Sequence, residues 1–224
     1  MTTYVLIHGG WHGGWVYSEI VARLASHNHR AIAPSLSGLA DRRHLANCGV
    51  NLNTHIEDIT NLLNFEDLKD VVLCGHSYGG MIVSGVCDRV PQRIRARVYL
   101  DAYVPKTGDS CWALAGENYR EIFLAGLSDD GLSSAPPEQL LQRDARVTPH
   151  PFASLVQKIH LTGSIEKVAH KGYLLALDQD RSPFTSVYQR IRDAPGWRTV
   201  TLNCRHNVMA AMPDEVVNFL LEFA

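Results

Sequence analysis

Short apolar runs alternate with stretches of helical spacing along this chain. Residues 4–8 form a compact apolar run that reads as a buried strand. Residues 15–26 carry helical periodicity through Ile20, Val21 and Leu24. Residues 30–33 read as a short strand that stops at Pro34. Residues 53–65 place Ile56, Ile59, Leu62 and Leu63 on one helical face. The strands at 70–74 and 94–100 flank a segment, Gly80-Met81-Ile82-Val83, that can continue as a helix. Two more strands follow at 173–177 and 199–202, separated by a helix around 184–191. An amphipathic helix at 214–223 closes the pattern, with Pro213 suited to its start.

This order predicts an α/β fold, a mostly parallel sheet of about six strands with helices on both faces. Residues 106–171 break the alternation. They hold Pro136-Pro137, Pro149 and Pro151 among short helical pieces. An excursion of that length above a sheet reads as a small helical cap or lid. The expected organisation is a single domain over 1–224 with a cap insertion at about 106–171. At 224 residues and 46% hydrophobic content, the chain can bury one sizeable core. A net charge of −2 without a basic stripe argues against a nucleic-acid partner. No apolar stretch approaches the ~18–20 residues of a membrane span, so no membrane partner is expected. The first strand begins at once, without the charged region and cleavage site of a signal peptide. Cys48, Cys74, Cys87, Cys111 and Cys204 are odd in number and scattered, which fits reduced thiols. A cytoplasmic location is the expectation, and a homodimer is left open.

The chemistry starts at Gly75-His76-Ser77-Tyr78-Gly79. Strand, G-x-S-x-G, then helix is the context that lifts a serine out of a sharp turn. A side chain at Gly75 or Gly79 would collide with the chain pressed close there. Ser77 then stands at a helix N-terminus as a candidate nucleophile. Its hydroxyl needs a base. His206 follows the strand at 199–202 and precedes the final helix, at the right end of the sheet. The orienting carboxylate should lie between Ser77 and His206. Asp180 is preferred, because it lies past the end of the strand at 173–177 and leads toward a helix. Asp178 and Asp101, at strand ends, compete for the role.

An oxyanion hole needs two N–H donors. Tyr78 follows the nucleophile and supplies one; Gly10, in the glycine-rich loop after the first strand, is the candidate for the other. That loop lacks G-x-G-x-x-G spacing, and Pro34-Ser35 stand where a dinucleotide site needs an acid. His8 and His12 have ligand-like spacing but no cysteine or carboxylate nearby, so no metal is assigned. Trp11, Tyr78 and Trp112 are candidates for an aromatic substrate pocket.

The opening YVLIHGGWHGGW, the elbow GHSYGG and the terminal RHNVMAAMPDEVVNFLLEF resemble the α/β-hydrolase superfamily. More closely, they are similar to its small branch of bacterial carboxylesterases, plant methylesterases and hydroxynitrile lyases. SLSGLADRRHL and VYLDAYVPKTGDS also look like the bacterial esterase members. The resemblance implies the α/β-hydrolase fold, Ser77 as nucleophile, His206 as base, an aspartate near Asp180 as acid, Gly10 and Tyr78 as oxyanion donors, and no cofactor. The lyases of the branch carry a threonine and a lysine where this chain has Gly9 and Met212. Cys204-Arg205-His206-Asn207 also departs from the usual G-H-D or G-H-S. The expected activity is hydrolysis of a small apolar or aromatic carboxylic ester through an acyl-enzyme. The alternatives are a hydroxynitrile-lyase type of carbon–carbon lyase and a small-molecule receptor on the same scaffold.

Overall fold

The computed structural model describes residues 1–178 and 182–224. The chain opens with β1 (Thr3–Ile7), α1 (Ser18–Ser26), β2 (Arg30–Ile32) and α2 (Leu52–Phe65). It continues through β3 (Val71–Ser77), α3 (Gly79–Arg89) and β4 (Ile94–Ala102). An excursion follows, with α4 (Cys111–Leu114), α5 (Gly116–Ala125), β5 (Ser133–Ser134), α6 (Glu138–Arg143), β6 (His150–Pro151) and α7 (Phe152–Val156). The chain then returns to the sheet through β7 (His170–Ala176), α8 (Pro183–Ile191), β8 (Trp197–Leu202), α9 (Val208–Ala211) and α10 (Pro213–Leu221).

Six strands form one sheet in the order β2-β1-β3-β4-β7-β8. Every neighbouring pair is parallel. Side chains of a strand alternate between faces, and both faces are covered, so the central strands β1 and β3 are buried along almost their whole length. In β1, Val5 and Ile7 join one buried cluster while Tyr4 and Leu6 join the other. In β3, Val71 and Leu73 divide from Val72 and Cys74 in the same way. The first cluster holds Ile56 and Ile59 of α2, Met81 and Val83 of α3 and Phe184 of α8. The second holds Ile20 and Leu24 of α1 and Val216 and Leu220 of α10. Helices therefore flank both faces, as the hydrophobic pattern predicts. Local signals agree: Asn51 caps α2 and exchanges hydrogen bonds with Thr54, at 3.2 and 3.3 Å.

Several boundaries differ from the sequence reading. The first helical stretch starts as a 3₁₀ turn, Gly14–Tyr17, before α1. β3 runs on to Ser77, so the nucleophile candidate is the last residue of the strand. β7 begins at His170 and takes in the end of the expected insertion. α9 intervenes between His206 and the terminal helix. These pieces are short, with too few turns to show a periodicity.

The excursion after β4 is tied to the core. β5 and β6 pair antiparallel. Trp11, in the loop after β1, donates Nε1–H to the Ser134 carbonyl at 2.9 Å and accepts Thr148 N–H at 2.9 Å. Among the described residues, no helix is long and apolar enough to cross a membrane.

Candidate active site

Ser77 leaves the sheet with φ of +53°. A β-carbon on Gly75 would lie 2.6 Å from the Gly79 carbonyl oxygen, and one on Gly79 would lie 2.6 Å from that of Ile7. Only hydrogen fits either place, which is why glycine brackets the serine. Tyr78 has helical angles, φ −53° and ψ −33°, so its N–H sits at the N-terminus of α3 beside Ser77.

Asp101 lies near the end of β4, the strand paired with β3. A register irregularity falls between His76 and Ser77, where Ser77 is partnered with Ala102. Asp101 takes φ of +45° there and is fully buried. Its Oδ1 accepts Ala176 N–H at 3.1 Å and its Oδ2 lies 2.6 Å from His206 Nδ1. A buried carboxylate requires such partners, since unpaired charge in the interior is costly. Donation from Nδ1 leaves the His206 Nε2 lone pair free to take a proton.

The imidazole of His206 is fixed from several sides. Phe184 stacks on it at 5.0 Å and 7°, and Tyr119 meets it edge-on at 6.3 Å. His76 lies 4.4 Å away, and its Nε2–H donates to the His206 carbonyl at 2.8 Å. Burial and the neighbouring His206 push the His76 pKa well below the usual imidazole range, so His76 stays neutral.

The loop after β1 presses on the same place. A β-carbon on Gly9 would stand 3.0 Å from Ser77 Cβ and 3.0 Å from His76 Nδ1. His8 and His12 brace this loop through their Nδ1 atoms, to the Gly9 and Gly10 carbonyls, each at 2.8 Å. His8 Nε2 also accepts Leu36 N–H at 3.1 Å, so both its ring nitrogens serve the backbone. Burial lowers its pKa to about 3. Trp11 follows with φ of +63°. Of the seven described non-glycine residues with positive φ, three are Trp11, Ser77 and Asp101. Such conformations cost about 1–3 kcal/mol each and persist where surrounding packing holds them.

A cavity of about 820 Å³ joins these parts; Gly9, Gly10, Trp11, Ser77, Tyr119 and His206 are in its wall. Ser77, His206, Gly10 and Trp11 are thus brought together. Tyr78 contributes backbone only. Its buried hydroxyl donates to His55 Nδ1 at 2.8 Å, while His55 Nε2–H donates to the Ser37 carbonyl at 2.9 Å.

Two expectations are placed otherwise, and a third lies outside the described residues. Trp112 packs inside the excursion, edge-on to Phe152 at 6.1 Å with the Arg120 guanidinium 5.8 Å from its ring, and is not among the described residues of the cavity wall. Trp112 lies on α4, which packs against α7, the helix that carries Phe152. Asp178 lines the cavity but is 71% exposed and faces Arg205 at 3.8 Å. Asp180 lies outside the described residues; among those described, the carboxylate that meets His206 is Asp101. Phe184, Tyr119 and His76 were not expected here. Phe184 carried a core signal in its helix, and His76 stood within the pentapeptide itself.

The alpha/beta hydrolase family matches this chain over residues 4–219. Carbendazim hydrolyzing esterase from Nocardioides sp. is 38% identical, covering 98% of each chain. Pyrethroid hydrolase from Sphingobium wenxiniae is 24% identical, covering 100% of this chain and 88% of its own. An extracellular alpha/beta-hydrolase from a Paenibacillus species, solved as a structure, matches with a TM-score of 0.82 at 21% identity, covering 100% of this chain and 99% of its own. The chain belongs to the alpha/beta hydrolase family.

Proposed function

We propose that this esterase-type alpha/beta hydrolase cleaves a small, neutral, apolar or aromatic carboxylic ester with Ser77, His206 and Asp101. The reading rests on one observation: buried Asp101 lies 2.6 Å from His206 Nδ1, in a cavity whose wall includes Ser77 on its strained elbow. Asp101 takes the role that the sequence reading gave to Asp180.

Asp101 holds the imidazole in the tautomer with Nε2 unprotonated. Nε2 takes the Ser77 proton as Oγ attacks the ester carbonyl. The N–H groups of Gly10 and Tyr78 hold the tetrahedral oxyanion. The imidazolium, stabilised by Asp101, gives its proton to the departing alcohol. Water then attacks the acyl-enzyme, loses its proton to Nε2 and releases the acid, restoring Ser77. The segment between β4 and β7 acts as a cap that carries Tyr119 over this chemistry.

A neutral substrate is favoured by the pairing of most charged residues of the wall, although Arg143 also lines it and has no ion pair among the described residues. Arg146 is held by Asp144 at 2.6 Å, Arg205 faces Asp178 at 3.8 Å, and Glu19 is held by Arg23 at 2.6 Å. The aromatic rings of Trp11, Trp15 and Tyr119 suit an apolar or aromatic substrate. A 38%-identical relative named as an esterase supports ester cleavage.

The test is a fluorophosphonate label read by mass spectrometry, with an ester panel on wild type and Ser77→Ala. The label should map to Ser77, and the variant should lose roughly 10³-fold or more in kcat. Near-normal turnover by Ser77→Ala would remove the serine from the reaction.

A further inference from the structure

Tyr119 extends from α5 of the cap into the cavity wall. Its ring is well supported. It lies 6.3 Å from the His206 imidazole, 6.2 Å from Phe184 and 6.3 Å from Phe123. Its hydroxyl has no hydrogen-bond partner among the described residues and is not sealed from solvent.

The other ring donors of the wall are engaged or closed off. Trp11 Nε1 donates to Ser134, His12 Nδ1 to Gly10, His76 Nε2 to the His206 carbonyl, and His206 Nδ1 to Asp101. Trp15 Nε1 is unpartnered but buried away from the cavity surface. Burial raises the Tyr119 pKa above the usual phenol value, so the hydroxyl keeps its proton and remains a donor at neutral pH. A donor held on rigid aromatic packing and left without a protein partner is suited to orienting a ligand.

Its position decides which half of the substrate it meets. The leaving alcohol must receive its proton from His206 Nε2, so that half of the ester lies on the imidazole side of Ser77. Tyr119 flanks that imidazole. We infer that the Tyr119 hydroxyl donates a hydrogen bond to the leaving-group half of the substrate and selects esters whose alcohol part carries an oxygen or nitrogen acceptor. The assignment rests on Ser77 and His206 acting as nucleophile and base.

Two esters separate the effects. 2-Methoxyethyl benzoate and butyl benzoate share an acyl group and differ by an ether oxygen in place of a methylene. Tyr119→Phe keeps the ring and its packing. It should lower kcat/KM for the methoxyethyl ester by about three- to tenfold, the range of one neutral hydrogen bond, and leave the butyl ester within about twofold. An equal fall on both esters, or no fall on the methoxyethyl ester, overturns the role of Tyr119. Fluorophosphonate labelling of the same wild-type sample keeps the two readings apart. Labelled Ser77 with an unselective Tyr119→Phe defeats only this inference, whereas the absence of label at Ser77 removes the hydrolytic reading and this inference with it.

Discussion

His206 Nδ1 lies 2.6 Å from Asp101 Oδ2, although the two residues stand 105 positions apart. The pairing joins the end of β4 to the loop after β8, with β7 between them in the sheet. The Ala176 N–H of β7 donates to the other Asp101 oxygen at 3.1 Å, so the intervening strand also holds the carboxylate. Asp101→Ala should therefore lower kcat by about 10⁴-fold, as loss of an orienting acid does in comparable triads. Asp178→Ala, at an exposed ion pair, should change kcat by less than about threefold. Steady-state kinetics on these two variants and Asp180→Ala decides the matter. A loss confined to Asp180→Ala would return the role of the acid to Asp180.

His76 is hydrogen-bonded to the backbone of His206, the proposed base. Its Nε2–H holds the His206 carbonyl at 2.8 Å, linking the elbow directly to the base loop. His76→Ala should lower kcat by about 10- to 100-fold with little change in KM, because misplacement of the base by a fraction of an ångström weakens the transition state more than substrate binding. A rise in KM at constant kcat would show that His76 serves substrate binding instead.

Gly9 lies against Ser77, the proposed nucleophile. A β-carbon there meets Ser77 Cβ at 3.0 Å, tighter than ordinary packing, so either the loop or the elbow must shift. Gly9→Ala should cost about 1–3 kcal/mol of stability through overpacking and should lower kcat as well. Urea unfolding and kinetics on the same preparation test both effects. Unchanged kcat would mean that the loop can retreat without disturbing Ser77.

The sheet was legible because strands buried on both faces must be apolar, while the helices beside them must be amphipathic. β1, β3, β4 and α2 carry that contrast clearly, and the elbow announces itself by its glycines. The acid was not legible in the same way. Strand-end placement kept Asp101, Asp178 and Asp180 in contention and favoured Asp180. Asp101 is distinguished by its left-handed backbone and by the register irregularity beside Ser77, and neither leaves a mark in residue type. The excursion after β4 defeated pattern reading for another reason: α4, α6 and α7 span 4, 6 and 5 residues, too short for a periodicity to show.

The buried histidines make stability depend on pH. Burial lowers the His8 pKa to about 3 and the His55 pKa to about 4, and pushes His76 and His150 well below the usual value. Geometry explains why the neutral forms are held. His8 Nε2 accepts Leu36 N–H at 3.1 Å, and His150 Nδ1 faces Trp11 N–H at 3.4 Å while Nε2–H donates to Ser154 Oγ at 2.8 Å. A second ring proton would point at another N–H. The charged and titratable surroundings give little relief: His55 is near Asp58 but also Arg42, His8 is near Asp41 but also His12 and His55, and His150 faces His8 and His55. In the unfolded chain each histidine takes up a proton near pH 6.5, whereas the folded chain excludes it until far lower pH. Stability from these groups is therefore complete above about pH 6.5 and falls as pH drops toward 4, each group contributing up to about 1.4 kcal/mol per pH unit. Urea unfolding at pH 7, 6 and 5 should show this steep decline, before carboxylates with lowered pKa values such as Asp88 and Glu166 begin to protonate. His150→Gln should flatten the slope by about one such contribution, whatever it does to stability at pH 7. An unchanged slope would mean that His150 titrates alike in the folded and unfolded chain, contrary to its burial between Trp11, Tyr78 and Ser154.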